Sequence, residues 1–71
     1  MKIPRNVSGK EAAKVLMRLG FEHQRTTGSH FILKKDSRTV VVPLHNPVRP
    51  GTLRSLVEQS GLKMEEFVDL L

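Results

Sequence analysis

The chain of 71 residues has no cysteine, tryptophan or tyrosine, and only three phenylalanines. Without cysteine there are no disulfides and no thiolate metal sites, which fits a reducing compartment. The three Phe fit core positions, so a base-stacking platform of the RRM or OB type is disfavoured. Long apolar runs are also missing. Nothing approaches the roughly 18 consecutive apolar residues of a membrane span, and Met1-Lys2-Ile3-Pro4-Arg5 has no apolar segment of a secretory leader. No helix pattern joins a basic face to bulky aromatic anchors, which disfavours a membrane surface. A cytoplasmic protein without membrane contact is expected. No Walker or dinucleotide fingerprint is present. His23, His30, His45 and the isolated carboxylates match no ligand spacing, so neither a metal nor another cofactor is expected.

Acidic residues are scarce over most of the length. Residues 1–54 hold 11 Lys and Arg against Glu11, Glu22 and Asp36, a net +8. Residues 55–71 hold Lys63 against Glu58, Glu65, Glu66 and Asp69, a net −3. A basic body with an acidic end points to a polyanionic partner met by the first three-quarters of the chain. A soluble high-pI domain with no special partner has the same composition. The length suits one domain, residues 1–71, near the lower limit for folding without staples, burying about 60% of its unfolded surface.

The first helix is well signalled. Ser8 is a good N-cap, and Glu11 completes a capping box. Ala12, Val15, Leu16 and Leu19 form one apolar stripe, and Gly20 stands where a left-handed residue ends a helix. Lys10, Lys14 and Arg18 line a separate basic face. From Phe21 the pattern changes to short β-prone runs, Phe21 to Thr26, His30 to Lys34 and Thr39 to Val42. They are joined by the turn signals Thr27-Gly28-Ser29 and Asp36-Ser37-Arg38 and stopped by Pro43. Two short links predict an antiparallel meander. Residues 44–50 form a loop, and Pro50 opens a helix with Leu53, Leu56 and Val57 inward and Gly61 at its end. Residues 64–71 form a short third helix with Phe67, Leu70 and Leu71 on its apolar side. The fold class is α+β, two-layered, in the order α-β-β-β-α with a short C-terminal helix. Of the two faces of the middle strand, Phe31 and Leu33 should meet the helices, leaving His30, Ile32 and Lys34 outward; a one-residue slip would reverse this.

RNA carries its own nucleophile, the 2′-hydroxyl. Its cleavage needs a group to take that proton and cations to offset the developing charge. An imidazole suits the first task and Lys or Arg the second. His30 stands beside the Gly28-Ser29 turn, with Arg25, Lys34 and Lys35 as candidate phosphate contacts. On spacing alone His30 also reads as a turn-flanking histidine that only bonds the hairpin. Gly28 reads first as a positive-φ turn residue, and Ser29 as a hydroxyl bonding the turn backbone. His45, in the loop after Pro43, is a candidate second acid or base, or a loop anchor. Whether it approaches His30 depends on strand pairing. His23 is expected at the surface.

Several pieces stand in a telling order: Ser8-Gly9-Lys10-Glu11, Leu19-Gly20-Phe21, Gly28-Ser29-His30-Phe31, Val42-Pro43-Leu44-His45, Gly51-Thr52-Leu53-Arg54, and then Gly61-Leu62 with Glu65-Glu66-Phe67. Together they resemble the HicA family, small ribonuclease toxins of toxin–antitoxin pairs. The resemblance implies a double-stranded-RNA-binding-domain-like fold and cleavage of mRNA without metal, halting translation. It implies that His30 is catalytic and that a HicB-type antitoxin covers the site. Two departures stand out. Lys63 occupies a place where a Ser or Thr cap is common, so the last helix is expected to fray, and the Asp36-Ser37-Arg38 turn leaves little room for an inserted specificity loop.

Three functions then compete: an endoribonuclease toxin, a non-catalytic RNA-binding module of the same fold, and a protein-interaction module docking through its acidic tail. The second usually carries a lysine cluster at the start of the second helix, where this chain has only Arg49 and Arg54.

Overall fold

Residues 3–71 are described in the computed structural model. Met1 and Lys2, which begin the segment read above for a leader, lie outside the described residues. The elements run α1 (Gly9–Arg18), β1 (Glu22–Thr27), β2 (His30–Lys35), β3 (Arg38–Pro43), α2 (Pro50–Gln59) and α3 (Met64–Asp69). The three strands form one antiparallel sheet in the order β1-β2-β3. The expected α+β order, α-β-β-β-α with a short C-terminal helix, is therefore the one observed.

Local chemistry sets both ends of α1. The Ser8 hydroxyl accepts from Glu11 N–H at 3.1 Å and the Glu11 carboxylate accepts from Ser8 N–H at 3.3 Å, the two halves of the capping box. At the other end Gly20 adopts φ +101°. Phe21 N–H then donates to Leu16 C=O and Gly20 N–H to Met17 C=O, both at 3.1 Å. That is a Schellman closure, which satisfies carbonyls the helix leaves open and turns Phe21 inward.

One core follows. Ala12, Val15 and Leu16 of α1 meet Leu33, Val40 and Val42 of the sheet, Leu53, Leu56 and Val57 of α2, and Phe67 of α3. Leu33, Val40 and Val42 are buried while Ile32, Lys34, Thr39 and Val41 between them are exposed or half-exposed, so the helices cover a single face of the sheet. Although short, α3 contributes Phe67, which is completely buried. Its start is held by Lys63 N–H donating to the Glu66 carboxylate at 3.2 Å. A lysine side chain has no acceptor to return the favour, so the box is half-formed, and α3 stops at Asp69, short of the helix expected over residues 64–71.

The β2–β3 hairpin joins the two layers electrostatically. Lys35 and Arg38 are its closing pair, around Asp36 at φ +54°. The Lys35 ammonium donates to Leu19 C=O at 2.7 Å, at the C-terminus of α1. The Arg38 guanidinium donates to Gln59 C=O at 3.3 Å, at the C-terminus of α2, and lies against Gly61. Each cation thus meets the negative end of a helix. Both helices end at this hairpin and both begin at the opposite end of the sheet.

Gly9 marks that opposite end. A Cβ there would fall 2.8 Å from Leu44 Cα and closer still to the Pro43 carbonyl oxygen. Gly9→Ala is therefore expected to destabilise the fold by at least the roughly 1–3 kcal/mol of an overpacked site, measured by urea unfolding. Lys35→Met should cost only about 0.3–1 kcal/mol, the worth of a cation on an exposed helix end, and that loss should shrink in high salt.

Candidate active site

The strand ladder decides what shares a face with His30. Between β2 and β3 the register is uniform, with His30 opposite Pro43, Ile32 opposite Val41 and Lys34 opposite Thr39. Leu44 N–H donates to Ser29 C=O at 2.7 Å, which extends the ladder one step. It also fixes the phase: His30–Pro43, Ile32–Val41 and Lys34–Thr39 are the pairs without mutual hydrogen bonds, whose side chains stand closest. His30 is half-buried beside the buried Pro43. Proline is acceptable there because its missing N–H would have pointed away from β2.

Between β1 and β2 the register shifts by one residue at Gln24. Before this bulge His23 pairs with Leu33, on the helix side; after it Arg25 pairs with Ile32 and Thr27 with His30. Without the extra residue, strict alternation would put Arg25 on the same face as His23. With it, Arg25 lies on the outer face, diagonal to His30, about 7–8 Å away between α-carbons. Lys34 shares that face two rows further on, at about 13 Å. Lys35 does not share it. It belongs to the helix side, bonded to Leu19 at the far hairpin.

The turn behaves as its residues require. Gly28 takes φ +58° in the link between Thr27 and His30, an open position where a Cβ would touch nothing but the backbone would be strained. Ser29 anchors the turn through its carbonyl, bonded to Leu44, rather than through the hydroxyl. His23 is exposed but engaged. Its Nε2 lies 2.9 Å from Thr26 Oγ1, and its ring meets Phe31 edge-on at 4.9 Å between centroids.

The loop after β3 brings His45 to the same end of the sheet. His45 follows Pro43, the ladder partner of His30, by two residues, and its carbonyl accepts from Gly9 N–H at 2.8 Å. Val48 N–H donates to Val7 C=O at 2.7 Å, which ties the entry of α2 to the entry of α1. Asn46–Pro47 between them is a cis peptide. His45 is exposed. Among the described residues, no side-chain hydrogen bond occupies the ring of His30 or His45.

One end of the molecule thus gathers the Gly28-Ser29 turn, His30, the His45 loop and the N-termini of both long helices. At the start of α1 the N–H groups are already committed, Gly9 to His45 C=O and Glu11 to the Ser8 hydroxyl, with the Glu11 carboxylate beside them. Among the described residues no three His, Asp or Glu side chains come together as metal ligands, and no helix is long and apolar enough to cross a membrane. Sequence reasoning did not include the start of α1 in this site. The signal was present as Gly9, a poor helix former placed directly after the Ser8 cap, where only a close backbone approach calls for it.

No curated protein matches this chain. The family model described as the HicA toxin of bacterial toxin-antitoxin matches residues 9–62, from the first residue of α1 to just beyond α2. That span contains every residue gathered at the His30 end except Val7 and Ser8. With the fold and this match in hand, the chain belongs to the HicA toxin family.

Proposed function

We propose that this chain is an endoribonuclease toxin that cleaves mRNA in the cytoplasm without a metal ion and is held in check by a HicB-type antitoxin. The observation that carries the reading is the position of His30. It is half-buried beside a two-residue turn, its ring unclaimed by other side chains, on the face that also holds Arg25 and at the end where both helices begin.

The chemistry follows from that placement. An RNA strand laid across the outer face near the Gly28 turn would bring a 2′-hydroxyl to His30, which takes its proton as the oxygen attacks the adjacent phosphorus. The phosphorane gains negative charge, and Arg25, the cation nearest in the ladder, offsets it. Departure of the 5′-oxygen needs a proton. His45 is the candidate donor, since its loop is fastened beside the His30 ladder by the Leu44–Ser29 and Gly9–His45 bonds. Lys34 steers the flanking backbone, whereas Lys35 has a structural role at the other end of the sheet.

The test is cleavage of an end-labelled mRNA by purified protein in EDTA. His30→Ala should keep the circular dichroism of the wild type and lose roughly 10²–10⁴-fold in rate. Equal cleavage by both proteins would remove His30 from the mechanism. Intact RNA with a folded wild type, together with salt-sensitive duplex binding, would favour a non-catalytic RNA-binding module instead. In the same assay Arg25→Ala is expected to lower kcat by about tenfold or more, as loss of a charge-stabilising group does. Lys35→Met should cleave like the wild type at temperatures where it is folded, and equal losses in the two variants would contradict the division of roles.

A further inference from the structure

The two edges of the sheet are built differently. At the β1 edge, the bulge at Gln24 breaks the regular ladder, and Glu22 and Arg25 add charges of both signs. Such features discourage another strand from pairing. The β3 edge carries such features only at its two ends, in Arg38 and in Pro43, which lacks an outward N–H. Its register with β2 is uniform from Arg38 to Pro43, and its centre is Thr39-Val40-Val41-Val42, a β-branched run with no charge.

The phase of the ladder fixes which backbone groups this edge presents. Arg38, Val40 and Val42 direct their N–H and C=O toward β2, so Thr39 and Val41 direct theirs outward. Among the described residues no backbone or side-chain group bonds those of Thr39 and Val41. Val41 is also 42% exposed, and with Ile32 it makes an apolar strip across the open face beside His30. Two donors and two acceptors flanked by an exposed valine form a template for an incoming strand.

Charge identifies the occupant. A second copy would bring the same basic body, net +8 over residues 1–54, against itself. On the outer face Lys34 of β2 stands directly opposite Thr39 of this edge, with Glu22 and Arg25 one strand further away on β1, and no acidic residue lies between Ser37 and Val57. A strand added to β3 would lie about 10 Å from β2, two strand spacings. A carboxylate opposite Thr39 would then be within reach of the long Lys34 side chain, and an apolar residue opposite Val41 would extend the strip toward the His30 row. We infer that β3 pairs through Thr39 and Val41 with an extended, acidic-flanked segment of the partner protein, and that this added strand lies beside the His30 face and hinders RNA there. The inference rests on the reading of the chain as one half of a toxin–antitoxin pair.

The experiment is amide hydrogen exchange by NMR on the chain alone and with a HicB-type antitoxin protein added. Alone, Val40 and Val42 amides should exchange slowly and Thr39 and Val41 quickly. In the complex, Thr39 and Val41 should become protected by about tenfold or more while the β1 edge is unchanged. Val41→Pro removes the outward N–H without touching the bonds to β2. It should weaken the complex by about tenfold, whereas Val41→Thr should bind nearly as the wild type does. A complex in which Thr39 and Val41 still exchange quickly would overturn the pairing while leaving the toxin reading intact. Protection of both amides in the free chain, rising with its concentration, would assign the edge to a second copy and overturn the acidic partner. No complex at all would overturn the inference and the partner reading together, while the RNA assay judges the nuclease separately.

Discussion

Three backbone hydrogen bonds hold the His30 end of this molecule together. Leu44 bonds Ser29, Gly9 bonds His45, and Val48 bonds Val7, each at 2.7–2.8 Å. The first fastens the His30 hairpin to the loop after β3. The second seats the start of α1 on that loop, at a contact so close that only glycine fits. The third ties the two helix entries to one another. Backbone bonds of this kind are worth only about 0.5–1.5 kcal/mol each. Here they matter for position, because residues far apart in sequence could not otherwise share one small site.

The opposite end of the molecule uses charge where this end uses backbone. Lys35 and Arg38, adjacent across one hairpin, each meet the C-terminal carbonyls of a long helix. The arrangement makes the helices run in the same sense relative to the sheet, with negative ends at the β2–β3 hairpin and positive ends at the β1–β2 turn. Part of the strong basic charge of this chain is therefore structural. Arg25 and Lys34 remain on the outer face, and Lys10, Lys14, Arg18, Arg49 and Arg54 lie on or beside the two long helices. In a chain whose core is a single small cluster, such fixed cations supply order that burial alone would not.

Much of the fold was legible in the sequence because its signals are local. The Ser8–Glu11 box, Gly20, the turn at Gly28, Pro50 and Gly61 each require a particular backbone state, and each takes it. The outward placement of His30 followed from alternation once Leu33 was assigned to the core. Other features depend on pairing between distant segments and left no local trace. The bulge at Gln24 changes the face of Arg25, and nothing in Glu22-His23-Gln24-Arg25 announces it. Lys34 and Lys35 look equivalent as neighbours, but strand alternation sends one to the outer face and the other to a helix end. The approach of the His45 loop to the hairpin likewise depends on long-range hydrogen bonds, with Gly9 its sole trace.

The central claim is that His30 acts on the ribose hydroxyl of an RNA strand, and product chemistry tests it most directly. The measurement is the end groups of the fragments, together with cleavage of a matched RNA carrying one 2′-deoxy sugar at the scissile position. Attack by the 2′-hydroxyl predicts a 2′,3′-cyclic or 3′-phosphate, a 5′-hydroxyl, and no cleavage at the deoxy position. A 3′-hydroxyl with a 5′-phosphate, or unimpaired cutting beside the deoxy sugar, would show that water attacks instead and would contradict the role given to His30.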